Sequence, residues 1–374
     1  MDFSLDKLIK QKVYHREYGF GEIVEIEEGE FIKAKFGEEI KTFTPYSIMY
    51  RHLILNDDKL MDQFTLSYAY QEKKRVDEAL KPYLDNLNHM IGLNHIKEQI
   101  HDLICEINVA KLRKAFRLKA PKTTRHMVFT GNPGTGKTTV ARMLADIFKI
   151  LGVIPTNKLV EVDRSGLVAA YAGQTALKTK KVIESAIGGV LFIDEAYAIC
   201  RSDNDDFGYE ALDTLTKSLE DYREDIVIIV AGYKKEMADF LASNPGLDSR
   251  FKTIISFDDY ASQELYEIFL SLLKDNDYHL DKAAKKVTKE YFASITNLEG
   301  NGRSIRNMFE DTIRLQSRRV NSLDDICIDS LSEIKVEDLV FTRPDYLVSI
   351  PDEKAYEYAN QARGGEKHEC RSSN

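Results

Sequence analysis

Residues 129–141 read FTGNPGTGKTTVA, and their types and spacing suit a cradle for phosphate. Gly131, Gly136, Lys137 and Thr138 fit the pattern G-x-x-x-x-G-K-[ST]. In such a loop, spanning Gly131, Asn132, Pro133, Gly134, Thr135, Gly136, Lys137, Thr138 and Thr139, the glycines let backbone N–H groups converge on phosphate oxygens. Lys137 can reach the outer phosphates, the Thr138 hydroxyl can hold Mg²⁺, and the helix that follows aims its positive end at the anion. Alternatively, the same glycines would make an ordinary turn between strand and helix. The context favours the cradle: Met127, Val128 and Phe129 lead in as an apolar run. Val140, Met143, Leu144, Ile147 and Phe148 then follow at helical spacing.

A second chemical site is the apolar run at 190–193 ending in Asp194 and Glu195. Downstream of a phosphate loop, strand-terminal acids divide the work. Asp194 supports the metal through its water shell, while Glu195 orients and deprotonates the attacking water.

These groups need a scaffold. Strand-like runs at 159–162, 190–193, 226–231 and 253–257 alternate with helical stretches, including 213–219 and 234–241. Such alternation predicts right-handed crossovers onto a parallel sheet, an α/β fold with the nucleotide at the carboxyl ends of the strands. From 261 to 339 the pattern is almost wholly helical.

At 374 residues the chain has room for two or three cores. A hydrophobic content of 43% with 30% charged residues describes a soluble globular protein. The formal charge of −9 argues against a surface built to wrap nucleic acid. Cys105, Cys200, Cys327 and Cys370 are scattered, which suggests a reducing compartment without a zinc or disulfide framework. The first twelve residues lack a signal-peptide core and no run approaches a membrane span, so a cytoplasmic location and no membrane partner are expected.

The composition divides the chain into 1–56, 57–88, 89–260, 261–345 and a polar tail, 346–374. Residues 11–55 alternate apolar and polar side chains and carry turn signals at Glu28-Gly29 and Phe36-Gly37, an all-β pattern. Residues 57–88 read as a helical connector interrupted by Pro82. The basic run from Lys111 through Arg113, Lys114, Arg117, Lys119 and Lys122 to Arg125 is either a solvated helix end, a face for an acidic neighbour, or a nucleic-acid patch. The last is least favoured, for lack of interleaved aromatics.

Two resemblances sharpen this. The segment 13–24 resembles the opening of small SH3-like (Tudor-type) barrels, with Gly19 and Gly21 in a sharp turn and His15 and Tyr18 structural. Residues 86–345 resemble the CbxX/CfqX family of AAA+ ATPases. The match rests on GNPGTGKTT at 131–139, YAGQT at 171–175, GGVLFIDEAY at 188–197, VAGY at 230–233, NPGLDSRF at 244–251 and GNGRSIRN at 300–307.

That resemblance implies an α/β P-loop domain with a helical lid, ATP and Mg²⁺ as cofactors, and a homo-oligomeric ring, usually a hexamer. Arg250 takes the arginine-finger position toward the neighbouring protomer, with a surface ion pair as the bland alternative. Arg303 takes the sensor 2 position, Arg306 being its runner-up, and an intra-lid salt bridge would account for either. Ile91 and Gly92 would lie against the adenine. Tyr171 falls where an aromatic pore loop grips a substrate chain, the alternative being a core tyrosine. Tyr233 stands where most AAA+ proteins place a polar sensor 1. The N-terminal segment is foreign to red-type Rubisco activases, which counts against Rubisco as substrate. The expected function is ATP-driven remodelling or threading of a protein client. The alternative is a switch associated with nucleic acid or RNA polymerase and recruited by the barrel.

Overall fold

The computed structural model describes residues 3–342 apart from 28–30, 50, 122, 172, 201–204 and 297. The Glu28-Gly29 turn, Lys122, Ala172 and the tail 346–374 therefore lie outside the described residues.

The N-terminal alternation becomes strands β1 (Lys12–His15), β2 (Gly19–Glu27), β3 (Phe31–Phe36) and β4 (Glu39–Phe43), then helix α1 (Pro45–Met49) and strand β5 (Leu53–Leu55). They form one antiparallel five-stranded sheet in the order β4-β3-β2-β1-β5. This is the all-β module expected from residues 13–24. Gly21 is required where β2 crosses β3, since a Cβ there would lie 2.6 Å from the Lys35 carbonyl oxygen. His15 and Tyr18 stack at 4.6 Å, and the His15 Nδ1 accepts the Glu17 N–H at 3.2 Å, so both build the turn.

Helix α2 (Asp58–His89) follows, capped by Asp57, whose carboxylate accepts the Leu60 N–H at 3.0 Å. The expected interruption at Pro82 does not occur. Pro82 and Glu78, whose carbonyl loses its helical donor, are both exposed, so water can satisfy the freed oxygen. The two halves of α2 serve different cores. Met61, Phe64 and Ala69 close the N-terminal core with Leu8, Val13, Ile23 and Ile32. Val76, Leu80 and Leu87 join the next core instead, beside Ile96, Ile100 and Ile104 of α3 (Asn94–Ala115).

The central unit alternates β6 (Met127–Gly131), α4 (Lys137–Ile150), β7 (Leu159–Val162), α5 (Arg164–Leu167), α6 (Thr175–Ala186), β8 (Val190–Ile193), α7 (Asp206–Asp221), β9 (Val227–Gly232), α8 (Lys234–Ala242), α9 (Pro245–Arg250) and β10 (Thr253–Phe257). The strands pair in parallel in the order β10-β6-β9-β8-β7. Every residue of β8 and β9 is buried, as expected of strands covered on both faces. One face carries α2, α3 and α4; the other carries α6 to α9.

The lid consists of α10 (Ser262–Asp275), strand β11 (His279–Leu280), α11 (Lys282–Ser294), α12 (Asn301–Asn321), α13 (Ile328–Ser332) and strand β12 (Glu333–Ile334), which pairs in parallel with β11. Its core is aromatic: Tyr291 stacks on Phe341 at 4.2 Å, with Phe269 and Phe292 around them.

Candidate active site

Seven segments converge on one cleft of about 640 Å³. That size lies in the range of small-molecule sites. Strand β6 ends at Gly131, and the loop after it turns into α4 at Lys137. Gly134 has φ +75, and a Cβ there would lie 2.1 Å from the Gly300 carbonyl oxygen, so the loop requires glycine for conformation and for space alike. The Lys137 ammonium donates to the carbonyls of Gly131 and Asn132, each at 2.8 Å. Burial pushes its pKa below the ordinary lysine value, opposed by the charge of Asp194.

Strand β8 delivers the acids. Asp194 donates its N–H to the Val162 carbonyl at 2.9 Å, and its Oδ1 accepts the Glu195 N–H at 3.0 Å. Glu195 adopts φ +48, a left-handed conformation rare outside glycine and characteristic of strained functional turns. Strand β9 lies between β6 and β8 and delivers Tyr233 to the same end of the sheet. Its ring lies 5.9 Å from that of Tyr197, whose hydroxyl is shifted up by burial and then by Glu195. Thr138 and Asp194 both face the cleft. A hydroxyl and a carboxylate are hard oxygen donors, a set that suits a hydrated divalent cation held mainly through phosphate oxygens. Among the described residues, no group of three or more His, Cys, Asp or Glu could hold a metal without such help.

The remaining walls come from outside the sheet. His89, Met90 and Ile91 enter from the α2–α3 junction, and Ile268, Ser271 and Leu272 from α10. Helix α12 contributes Gly302, Arg303 and Arg306, so both arginines face the cleft. Tyr260 completes it; burial pushes its hydroxyl up to about 12.

Of the expected nucleotide contacts, Gly131, Pro133, Gly134, Gly136, Lys137, Thr138, Thr139 and Ile91 line the cleft. Asn132, Thr135 and Gly92 do not line it. The Thr135 hydroxyl donates to the Asn132 carbonyl at 2.8 Å, and a Cβ on Gly92 would lie 2.5 Å from Glu264 Oε1. Arg250 and Tyr171 are not brought to the cleft. Arg250 ends α9, where its Nη1 donates to the Gly246 carbonyl at 2.8 Å. Its Nε is buried, lies 3.8 Å from Glu220 and has no hydrogen-bond partner among the described residues. Tyr171 is 71% exposed, on a loop closed by the Ala169 N–H donating to Thr175 Oγ1 at 3.1 Å. Arg164, before that loop, pairs with Asp205 at 2.6 Å and donates to the Ala198 carbonyl at 3.1 Å. The stem of the Tyr171 loop is thereby tied to the segment that follows Glu195.

Three residues of the basic run at 111–125, Lys111, Arg113 and Arg125, are engaged in the fold, while Lys114, Arg117 and Lys119 are exposed. Burial lowers Lys111, the Arg113 Nε and Nη2 donate to the Lys119 carbonyl at 3.0 and 2.9 Å, and Arg125 lies 3.9 Å from Glu106. Sequence reasoning missed Tyr260, His89, Met90 and the α10 residues. His89 and Met90 adjoin Ile91, and Tyr260 follows the last strand, so proximity to expected contacts was their signal. The α10 residues at 268, 271 and 272 have only helical spacing, which a packing face shares.

A phosphate loop on a parallel sheet, strand-end acids and a helical lid over the cleft define an ATP-hydrolysing P-loop enzyme of the AAA type. Residues 127–259 match the family described as ATPase family associated with various cellular activities (AAA), and residues 261–346 match the AAA lid domain. The chain belongs to this family, and within it to the CbxX/CfqX type. It is 38% identical over 298 residues to stage V sporulation protein K of Bacillus subtilis (strain 168), covering 77% of this chain and 92% of that protein. It is 42% identical over 245 residues to the chloroplastic ribulose bisphosphate carboxylase/oxygenase activase of Cyanidioschyzon merolae, covering 64% and 84%. The ESX-1 secretion system protein EccA1 of Mycolicibacterium smegmatis (strain ATCC 700084 / mc(2)155) is 37% identical over 329 residues. That match covers 83% of this chain and only 57% of EccA1. The FIGL-1 AAA domain in complex with ADP shares the fold, with a TM-score of 0.50 at 14% identity over 74% of this chain and 89% of that one. No helix among the described residues is long and apolar enough to cross a membrane.

Proposed function

We propose that the chain is a Mg²⁺-dependent ATPase that works as a homo-oligomeric ring, of six copies by family resemblance, and remodels or threads a protein client. The observation that carries this reading is the separation of Arg250 from the cleft that gathers Lys137, Asp194 and Glu195. Arg250 ends α9 with its side chain partly exposed, and a guanidinium fork of this kind suits a triphosphate held next door.

In this reading the loop N–H groups and the α4 N-terminus receive the phosphates, and Lys137 exchanges its two carbonyl partners for phosphate oxygens. Thr138 and Asp194 hold Mg²⁺, which supplies charge neutralisation on the phosphates when bound. Glu195 orients the attacking water and accepts its proton. Charge developing on the transferred group is met by Arg303 from the lid and by Arg250 from the neighbour, an electrostatic contribution on the order of 10³-fold or more in related enzymes. Tyr233 offers a hydroxyl where other AAA+ proteins place a polar side chain. Ile91, with Met90, Ile268 and Leu272, supplies the apolar walls for adenine.

Tyr171, exposed on a short loop, supplies the apolar grip on the client. A protein client is supported by the relatives, one of which is named as an activase of a carboxylase. The free thiols at Cys105, Cys200 and Cys327 fit a cytoplasmic setting. The nucleic-acid reading has less support, because Lys111, Arg113 and Arg125 of the basic run are engaged in the fold and the formal charge of the chain is −9.

The test is complementation between inactive chains. Lys137→Ala lacks the nucleotide cradle but keeps Arg250; Arg250→Ala binds ATP but lacks the trans group. Each alone is expected to hydrolyse ATP at least about 100-fold more slowly than wild type. Mixing them restores measurable turnover if the site is shared. Failure of every mixing ratio to recover activity sinks the shared site. Glu195→Gln is expected to bind ATP, turn none over, and hold the assembly together on size exclusion.

A further inference from the structure

The link between β10 and α10 runs from 258 to 261 and is the hinge between the central unit and the lid. Asp259 sits in it, exposed, yet its carboxylate is claimed from both sides. Asn132 of the phosphate loop places its Nδ2 at 2.9 Å from each carboxylate oxygen. Asn301, the first residue of α12, places its Nδ2 at 2.8 Å from Oδ1. The other end of the Asn301 amide accepts the Tyr260 N–H at 3.0 Å.

Asn301 is only 3% exposed and adopts φ +48, immediately after Gly300 at φ +80. Two successive left-handed residues open the helix that carries Arg303 and Arg306. For a non-glycine residue that conformation is uncommon and persists where surrounding contacts hold it. Here the contacts are the amide bonds to Asp259 and Tyr260. One residue later the Gly302 N–H donates to the Gly134 carbonyl at 3.1 Å, so the first turn of α12 rests directly on the phosphate loop.

We propose that Asp259 is a positioning residue for ATP hydrolysis. By bridging Asn132 and Asn301, its carboxylate registers the first turn of the lid helix to the phosphate loop, and so fixes where Arg303 meets the nucleotide. A lid that swings away breaks the bridge and withdraws the arginine. The inference rests on the reading of Arg303 as a phosphate-contacting residue.

Steady-state ATP hydrolysis by the full chain tests it, with Asp259→Ala, Arg303→Ala and the double variant. Removing a charged acceptor of this kind is expected to lower kcat/KM about tenfold. Arg303→Ala lowers it at least as much, and the double variant is no slower than Arg303→Ala alone, because Asp259 acts through the arginine. Asp259→Asn, which keeps one acceptor oxygen for Asn301, recovers part of the loss. Melting temperatures establish that each variant is folded, and a purely structural defect would slow both backgrounds equally. Multiplicative losses in the double variant overturn the proposal, as does wild-type turnover by Asp259→Ala. Wild-type turnover by Arg303→Ala would instead overturn the role of the arginine, and the inference with it, so the two failures are distinct.

Discussion

His126 enters β6 fully buried, with both ring nitrogens engaged. Its Nε2–H donates to the Leu219 carbonyl at 2.9 Å, and its Nδ1 accepts the Ile228 N–H at 3.1 Å. Only the neutral ring satisfies both, and burial lowers its pKa. The unfolded chain therefore takes up a proton near pH 6.5 that the native state refuses. The contribution of His126 is complete above that pH and is lost as pH falls from it toward the lower native value. Melting temperatures at pH 7.5 and 5.5 should drop for wild type, and by less for His126→Gln; equal drops would remove His126 as the cause. Nothing in the sequence around His126 announces this role, because its partners lie at 219 and 228. The phosphate loop was legible for the opposite reason. Its geometry is local, so Gly131, Gly136, Lys137 and Thr138 carry their spacing in the chain itself. Asp259 and Asn301 gain meaning only when two units meet, which no local pattern records.

At the scale of elements, periodicity located the strands that bear the site, since β8 and β9 are continuous apolar runs buried on both faces. It failed where tertiary contacts decide. Pro82 reads as a break yet sits inside α2, and the two-residue strands β11 and β12 pair across half the lid, too short to show a period. The lid is also fastened by a feature that composition hides. Asp338 is 1% exposed, and its carboxylate accepts from Arg319 Nε and Nη2 at 2.8–3.0 Å and from the Lys335 N–H at 2.9 Å. Those hydrogen bonds, chiefly, push the Arg319 pKa above its ordinary value. Asp338→Ala would leave a largely buried guanidinium with only Glu337 at 3.6 Å and the Glu333 carbonyl for partners, at a cost of about 2–3 kcal/mol. The expected outcome is early melting of the lid, read as loss of hydrogen-exchange protection in α12 while β8 and β9 stay protected. Unchanged protection in α12 would show that the pair contributes little.

At the scale of the molecule, α2 belongs to two cores at once. The composition shift near residue 57 marks where a helix starts, and it is silent on what that helix covers. Cutting there is expected to leave Met61, Phe64 and Ala69 without the sheet that buries them. Deleting residues 1–56 should therefore give an aggregation-prone protein, whereas deleting 1–70 removes that apolar face as well and should stay soluble with ATP hydrolysis intact. Size exclusion and turnover of the two truncations decide the matter, and a well-behaved 1–56 deletion would count against a shared helix. The 32 residues of α2, at about 1.5 Å each, span about 48 Å. With its far half anchored by Val76, Leu80 and Leu87, the stretch from Asp58 to Arg75 is a lever of about 27 Å, and each degree of tilt would carry its tip through about 0.5 Å. A tilt of ten degrees would carry whatever that sheet holds across about 5 Å, close to the height of a full helical turn.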